Sequence, residues 1–201
     1  MTESHAPDAA AGLPGEAVIV KSWHEPELFA EIFRRHFDEI HRYVHRRLGP
    51  DAADEIAAET FLAAFRRRRR FDPERGALRP WLYGIATNLI GAHRRAERRF
   101  FKALARVPAD HVAHGHEDRV AAQVSAGRVS KDLAVALARL PAGDRDVLLL
   151  VALADFSYAE VAQALGLKQG TVASRLHRAR KKLNEALGGV NPTLITEESP
   201  A

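Results

Sequence analysis

The chain has 201 residues, of which 46% are hydrophobic and 28% charged, with a formal net charge of +4 at pH 7. This length allows one mid-sized domain or two small ones, and the hydrophobic content excludes a wholly disordered chain. The sequence contains no cysteine, which excludes disulfides, thiolate-based zinc sites and cysteine nucleophiles. Its longest apolar run, residues 147–154, is far shorter than the roughly 20 residues of a membrane span, and its start lacks a signal-peptide pattern. We therefore expect a soluble, cytoplasmic protein with no membrane partner.

Positive charge is concentrated in two stretches of the chain. Residues 61–100 carry eleven arginines against three acids, a net charge of +8, and residues 168–182 carry six basic residues and no acid. The remainder of the chain therefore sums to −10. Such segregation is expected of a protein that meets a polyanion at two separate places, although composition does not distinguish DNA from RNA or anionic lipid.

The first predicted helix follows an N-terminal arm. Residues 1–24 are expected to be a flexible arm, because Ala, Gly, Pro and polar residues dominate them. From Phe29 to Leu48, apolar residues recur at steps of three or four, which predicts one amphipathic helix with a single apolar stripe. Gly49 and Pro50 are expected to end this helix, because neither residue favours its continuation.

Two further helices are predicted before residue 100. Asp51 is the expected N-cap of a helix over about residues 52–69. The stretch 71–76 contains proline and glycine and is therefore expected to be a loop. A third helix follows, with Pro80 in its first turn, where a missing N–H is tolerated. Three helices that each have one apolar side predict a compact bundle.

No strand pattern competes with a helical interpretation, so the expected fold is all-α. It has two small helical domains joined by a flexible linker, and the C-terminal domain contains a helix-turn-helix. The linker is expected where the apolar periodicity is lost. In chain order, the predicted parts are an arm (1–24), a helical domain (25–100), a linker (101–128), a second helical domain (129–188) and a tail (189–201).

Residues 157–187 carry the pattern of the helix-turn-helix. Ala162 is small, as required where two helices cross closely, and Gly166 lies four residues later, where a tight turn favours a positive φ angle. Val172 and Leu176 are expected to anchor the second helix on its inward side. Lys168 occupies the cap position of that helix, where Ser or Asp is more favourable.

The outward side of this second helix carries residue types that read DNA. Arginine donates to guanine, glutamine bonds adenine, and serine or threonine bonds either. Basic residues near the end of the helix add contacts to phosphates. The alternative is an amphipathic surface helix whose charges are only solvated. The residues expected to face DNA by this reasoning are Gln169, Thr171, Ser174, Arg175, Arg178 and Lys182.

Several segments, in order along the chain, resemble those of bacterial RNA polymerase sigma factors. Their order, the short linker and the lack of other domains are typical of the extracytoplasmic-function (ECF) subfamily. The resemblance covers about residues 25–188. DEIAAETF (54–61), FDPERG (71–76) and WLYGIATN (81–88) are similar to the segments that bind core polymerase and the −10 element, and LP (140–141), DVLLL (146–150) and GTVASRLHRAR (170–180) to the −35-binding domain.

The resemblance implies a protein that binds core RNA polymerase through its β′ clamp and β subunits, directs it to particular promoters and helps to open the DNA. It implies a DNA-binding protein rather than an enzyme, with no cofactor and with an anti-sigma factor as a further partner. In the family, the helix matching residues 51–69 docks on the clamp. Its candidate polymerase-binding acids here are Asp54, Glu55 and Glu59, for which an ordinary solvated helix face is the alternative.

The resemblance also implies contacts with the −10 element. A loop matching residues 71–79 and the following helix capture an unstacked base in the family, and the candidate residues are Arg75, Tyr83, Asn88, Arg94, Arg95, Arg98 and Arg99. Trp81 favours core packing over base stacking. The arginine run 66–70 is compatible with DNA contact or with a solvated helix end. At the −35 helix, Ala173 stands where relatives often carry a basic residue, so His177 joins Ser174 and the two arginines as a candidate.

Two groups of histidines have spacings that a metal site could use. His111, His114 and His116 have metal-compatible spacings, and His36, His41 and His45 lie on one helix. Without cysteines or a clear carboxylate set, surface histidines are the simpler interpretation, and no metal site is expected. Two rival functions stay open at this point: a dimeric helix-turn-helix regulator that acts without polymerase, and an enzyme or ligand-controlled switch that uses these histidines.

Overall fold

The computed structural model of the chain describes residues 12–104 and 127–187, and within these ranges the secondary structure is entirely helical. The all-α prediction is thus confirmed for the described part of the chain. Short 3-10 turns occupy residues 26–28, 50–52 and 68–70. The α-helices are α1 (Gly15–Lys21), α2 (Phe29–Leu48), α3 (Ala53–Arg67), α4 (Leu78–Leu104), α5 (Gly127–Arg139), α6 (Ala142–Ala154), α7 (Tyr158–Leu165) and α8 (Gln169–Ala186).

The chain divides into two compact units. The first unit contains the described residues up to 108 together with Ala159–Leu167, and the second contains those of 109–158 and 168–201. The sequence predicts residues 159–167 in the C-terminal domain, whereas in the structure they group with the first unit. Within that unit the Gln163 side chain donates to the Ala77 carbonyl at 2.6 Å and accepts from the Ala77 amide at 3.1 Å. Most of the predicted linker and the tail lie outside the described residues.

The expectation of a flexible arm over residues 1–24 is wrong for its second half. Residues 15–21 form α1, and Val18 and Ile19 on this helix are fully buried. A short apolar patch is sufficient here because the helix packs against a preformed bundle rather than standing alone. Residues 1–11 lie outside the described ranges.

Hydrogen bonds fasten the end of α1 to the end of α3. The Arg68 guanidinium donates from Nε to the Ser22 carbonyl at 2.9 Å, and the Trp23 indole donates to the Arg68 carbonyl at 2.9 Å. Arg69 donates to the Trp23 carbonyl at 3.0 Å. At the other end of α1, a Glu16 carboxylate oxygen accepts the Leu78 N–H at 2.9 Å, which satisfies a donor of the first turn of α4.

The core of the first unit lies between α2, α3 and α4. Side chains with little or no exposure come from all three helices, and small residues of α3 allow close helix contact. Asp51 is not the N-cap of α3, because Pro50 starts a 3-10 turn and Ala52 becomes the residue preceding the helix. The fully or nearly fully buried residues of these helices include Ile32, Ile40, Val44, Ala57, Phe61, Ala64, Leu82, Ala86 and Ile90.

The second unit is built from α5, α6 and α8, whose apolar faces meet in one core. Its buried residues include Leu140, Val147, Leu150, Val172, Leu176, Ala179 and Leu183. Pro141 precedes α6 as its N-cap, and Asp155 ends that helix in the left-handed conformation with φ 54°. The turn predicted at Gly166 is confirmed by its φ of 63°. None of the helices in the described ranges has the length and apolar character needed to cross a bilayer.

Candidate functional surfaces

Helix α8 presents one buried and one exposed side. Lys168 precedes it without a side-chain cap hydrogen bond, as predicted. Val172, Leu176, Ala179 and Leu183 are buried, at steps of four, three and four residues. This spacing gives a single apolar stripe, so the intervening positions face away from the core of the second unit.

All seven sequence candidates on α8 lie outside that apolar stripe. Gln169, Ser174, His177, Arg178 and Lys182 are exposed, whereas Thr171 and Arg175 are half-buried at its flank. The Ser174 hydroxyl donates to the Thr171 carbonyl at 3.0 Å. This side of α8 carries donors suited to base edges and cations suited to phosphates. These seven residues form the basic helix face.

Two arginines of the basic helix face contact the first turn of α6. Arg178 donates from Nε to Asp144 Oδ2 at 3.3 Å and from Nη2 to Asp144 Oδ1 at 3.1 Å. This hydrogen bond raises the pKa of Arg178 above its ordinary value. The guanidinium of Arg175 lies against Gly143, since a Cβ atom there would approach its Nη1 to 2.6 Å. Sequence analysis missed Asp144, because no periodic pattern links two residues 34 positions apart.

The candidate −10 residues fall into exposed and buried groups. Asn88, Arg95, Arg98 and Arg99 are exposed along α4, and Arg75 is exposed in the loop before it. In that loop Asp72 Oδ1 accepts the Glu74 N–H at 3.0 Å, a side-chain turn that shapes the backbone. The structure therefore provides an exposed basic surface on α4 with a turn at its N-terminal side.

Tyr83 does not lie on this surface. Its side chain is 2% exposed, its ring centroid lies 4.9 Å from that of Tyr43, and its hydroxyl donates to Glu39 Oε2 at 3.4 Å. Burial raises the pKa of Tyr83 to about 12, and the nearby Glu39 carboxylate acts in the same direction. Tyr83 therefore occupies a core position and is not available for the predicted DNA contact.

Arg94 is also engaged within the fold. It is half-buried, and its Nη2 donates to the Arg47 carbonyl. That carbonyl belongs to the last turn of α2, where backbone acceptors lack partners within the helix. Arg94 therefore caps a helix end, whereas its neighbour Arg95 is exposed.

The arginine run 66–70 is exposed except for one member, which is engaged within the fold. Arg68 is half-buried, bonds the backbone of residues 22 and 65, and lies over the Phe65 ring at 4.0 Å. The other four arginines of the run are exposed. Trp81 is half-buried, with its ring centroid 5.3 Å from that of Phe71, which agrees with the packing role that sequence favoured.

Helix α3 presents an acidic and apolar face. Asp54, Glu55 and Glu59 are exposed, and Asp54 Oδ1 lies 2.8 Å from Nε2 of His41. Leu62 follows Glu55 and Glu59 at helical spacing and is 47% exposed, while Phe33 of α2 is 40% exposed and stacks edge-on against Phe61 at 5.0 Å. Large exposed apolar side chains next to charges are typical of protein-binding surfaces. Asp54, Glu55, Glu59, Leu62 and Phe33 are called the acidic–apolar face below.

Sequence analysis missed Leu62 and placed Phe33 in a buried stripe. The step of seven residues from Glu55 to Leu62 is the signal that could have identified Leu62. Among the described residues, no group of three or more His, Asp or Glu side chains is arranged to hold a metal ion. His36 instead pairs with Glu39 at 2.5 Å, and His41 with Asp54. His111, His114 and His116 lie outside the described residues.

Two sequence-family models match the chain. The model described as Sigma-70 region 2 matches residues 32–100, and the model described as Sigma-70, region 4 matches residues 130–183. The first contains the acidic–apolar face of α3 and the basic surface of α4. The second contains α6 and the basic helix face of α8.

Two curated relatives and one solved structure are similar over most of the chain. ECF RNA polymerase sigma factor SigE of Mycolicibacterium smegmatis is 34% identical over 86% of this chain and 64% of its own length, so the chain spans less than two thirds of that relative. SigM of Mycobacterium tuberculosis, also named an ECF sigma factor, is 34% identical over 81% of this chain and 79% of its own. CnrH, solved in complex with the cytosolic domain of CnrY, superposes with a TM-score of 0.61 at 25% identity, covering 88% of this chain and 98% of that one.

Proposed function

Since the chain belongs to the ECF sigma factors of RNA polymerase, we propose that it binds core polymerase, directs it to particular promoters and helps to open the DNA there. The observation that carries the proposal is the presence, on one chain, of an acidic–apolar face on α2 and α3 and a basic helix face on α8. The chain acts in this proposal as a cytoplasmic DNA-binding and polymerase-binding protein, without an enzymatic activity or cofactor of its own.

The basic helix face serves in this proposal to recognise the −35 element. Its arginine, glutamine, serine and threonine side chains supply the donors and acceptors that distinguish base pairs in the major groove. Lys182 is placed one helical turn beyond Arg178 and is exposed, which suits a phosphate contact. The apolar stripe on the opposite side holds α8 in the second unit, so DNA can approach its outward side.

The exposed basic residues of α4 and the loop before it serve to bind the −10 element. Asn88, Arg95 and Arg99 are exposed at steps of seven and four residues, which places them along one side of the helix. A row of cations and an amide can follow the backbone of a separated strand. Arg75 and Arg98 extend this surface, whereas Tyr83 and Arg94 support it from within the fold.

The acidic–apolar face serves to bind core polymerase at the β′ clamp. Charge reversal tests this part: Glu55→Lys combined with Glu59→Lys is expected to weaken core binding at least ten-fold in a pull-down, because complementary charges become repulsive. The matched control reverses two exposed acids ahead of α2, Glu25→Lys with Glu27→Lys, and is expected to retain binding. Equal loss in both variants would reject the assignment of this face.

An anti-sigma factor is the further partner that we propose. The supporting observation is that the similar structure CnrH was solved bound to the cytosolic domain of another protein, CnrY. A partner of this kind that covers either proposed surface would keep the chain from polymerase or DNA. Co-purification of a tagged chain from its native host, followed by mass spectrometry, is expected to recover such a protein.

Transcription in a purified system tests the proposal as a whole. Core polymerase with the chain is expected to initiate at defined positions in a pool of genomic fragments, whereas core polymerase alone gives none of these starts. Promoter-independent DNA binding with no added start sites would overturn the proposal. Stable dimers that bind a palindrome would instead support a conventional helix-turn-helix regulator.

A further inference from the structure

The first turn of α6 holds a buried carboxylate against an exposed arginine of α8. The side chain of Asp144 is 7% exposed, whereas that of Arg178 is 53% exposed. Asp144 lies in the N-terminal turn of α6, where the partial positive charge of the helix end favours an acid. The acid is therefore the fixed member of the pair, and the arginine is the member that reaches the surface.

The geometry of this ion pair leaves the Nη1/Nη2 end of the Arg178 guanidinium, the edge suited to a base contact, directed away from Asp144. Both carboxylate oxygens are used, one by Nε at 3.3 Å and the other by Nη2 at 3.1 Å. A guanidinium has five N–H groups in a rigid planar fork, so this side-on pairing occupies two of them. The end of the fork, formed by Nη1 and the second Nη2 hydrogen, has the spacing that binds guanine O6 and N7.

We propose that Asp144 is a positioning residue that fixes the Arg178 guanidinium for reading a base pair of the −35 element. This inference rests on the proposed function, because it assumes that the basic helix face binds promoter DNA. A long arginine side chain otherwise samples many rotamers, and restricting it before binding reduces the entropy lost on forming the base contact. Asp144 itself touches no base in this arrangement.

The residue before Asp144 lies against the other arginine of the same helix face. Gly143 leaves room for the Arg175 guanidinium, which a methyl group at that position would displace. Arg175 and Arg178 are three residues apart on α8 and therefore lie next to each other. One turn of α6 thus contacts both arginines, through an ion pair with Arg178 and through the space that Gly143 leaves for Arg175.

The charge of Asp144 gives the proposal a distinctive consequence. Its negative charge offsets that of Arg178 and so weakens attraction to phosphates in general, while its geometry strengthens the choice of one base pair. Asp144→Asn keeps the shape but removes the charge. It is therefore expected to bind non-promoter DNA more tightly and to discriminate less at one −35 position.

Holoenzyme binding to a promoter library randomised in the −35 element tests this expectation. In complex with core polymerase, Asp144→Asn is expected to lose about five-fold or more of its discrimination at one base pair, the same pair affected by Arg178→Ala. In the Arg178→Ala background, Asp144→Asn is expected to change discrimination no further. Asp132→Asn, an exposed acid on α5 with the same charge change, is the matched control and is expected to leave all positions unaltered.

Three results would overturn the positioning role. These are unchanged discrimination in Asp144→Asn, an equal loss at every −35 position, and tighter specific binding that shows Asp144 to withhold the arginine from DNA.

If Asp144→Asn unfolds in a thermal scan, Arg178→Lys replaces it as the test, since lysine keeps the charge but lacks the planar fork. Arg178→Lys is then expected to lose discrimination at that same base pair, and full retention would overturn the proposal. A wild-type holoenzyme without any promoter preference would instead overturn the proposed function itself.

Discussion

Three arginines of the first unit serve a different purpose from the arginines of α8 in the second unit. In the first unit, Arg47, Arg68 and Arg94 point into the fold, where they bond a tyrosine hydroxyl or backbone carbonyls. In the second unit, the arginine and lysine side chains of α8 lie at the surface, and Arg178 is held there by a buried acid rather than drawn inward. Similar local charge in the sequence therefore corresponds to stabilisation of the fold at these three positions of the first unit and to an outward surface on α8, which the first unit matches at the exposed arginines of α4 and the loop before it.

The difference follows from the backbone groups available to each set of arginines. In the first unit, helix ends expose unpaired carbonyls, and a long side chain with five donors can satisfy several of them. In the second unit, α8 continues to Ala186, so its middle turns offer no free carbonyls to its own cations. Substitution of arginines in the two units is therefore expected to change different measurable quantities.

The largest expected effect is on folding, at a buried arginine of the first unit. Arg47 is 6% exposed and donates from Nη1 to the Tyr43 hydroxyl at 2.7 Å. Arg47→Ala is expected to lower the free energy of unfolding by about 2–4 kcal/mol, because it removes buried volume and a hydrogen bond together. Urea denaturation measures this change. The exposed neighbour provides the control, since Arg46→Ala is expected to stay within about 0.5 kcal/mol of wild type. Equal effects of Arg47→Ala and Arg46→Ala would contradict a stabilising role specific to the buried arginine.

At α8 the expected effect is on DNA discrimination instead. Arg178→Ala is expected to reduce the preference for the correct −35 sequence about ten-fold or more, since a base-reading donor is lost. Competition binding between matched and mismatched promoters measures this preference. If Arg178→Ala melts far below wild type yet keeps its promoter preference, Arg178 stabilises the fold and does not read DNA.

Arg68 provides an intermediate case, because it is half-buried and bonds two carbonyls at 2.9 and 2.8 Å. Arg68→Ala is expected to lower the free energy of unfolding by about 1–2 kcal/mol, as the ends of α1 and α3 lose one of the three hydrogen bonds that connect them. Limited proteolysis is expected to cut near residue 22 sooner in this variant. Arg67→Ala, at an exposed position of the same run, is expected to behave as wild type.

A smaller effect is expected for a phosphate-binding cation. Lys182→Ala is expected to weaken binding to all promoters alike and to reduce the slope of log affinity against log salt by about 1. Fluorescence anisotropy over a salt series gives that slope. A change of sequence preference without a change of slope would place Lys182 on a base instead.

The smallest expected effect is a titration at high pH. Because Tyr83 has a pKa of about 12 in the folded protein against 10.0 ordinarily, the unfolded chain releases this proton first as pH rises. The stabilising contribution is complete below pH 10 and is lost as pH rises through the folded value. Ultraviolet absorbance is expected to show a tyrosine component near pH 12 that Tyr83→Phe lacks. A wild-type curve with all tyrosines ionising near pH 10 would contradict the buried position.

The main helices could be predicted from periodicity, because an amphipathic helix records its buried face every three or four residues. The structure confirms the predictions for α2, for α4 with Pro80 in its first turn, and for the inward apolar stripe of α8. Helix α1 was missed, because a seven-residue segment has too few turns to show a period and depends on tertiary packing. The grouping of residues 159–167 with the first unit was not predictable from local pattern, since contacts such as that between Gln163 and Ala77 join residues 86 positions apart.

The outward residues of α8 were predictable for the same reason as its core. Tyr83 and Arg94 were placed on the wrong side, because their partners Glu39 and Arg47 lie more than forty positions earlier in the chain. Sequence analysis did not identify Asp144, because an acid in the first turn of a helix is common and indicates no particular partner. Sequence pattern thus identifies which face is polar, whereas distant contacts decide which polar residues remain outside.

The most direct measurement is start-site mapping on one fragment pool with core polymerase and three proteins. Wild type is expected to produce defined starts, Glu55→Lys with Glu59→Lys to remove most of them, and Arg178→Ala to redistribute them among promoters while the total remains substantial. This pattern requires two separable surfaces, one for polymerase and one for promoter choice. Identical start profiles for all three proteins, or a uniform loss in both variants, would contradict that division.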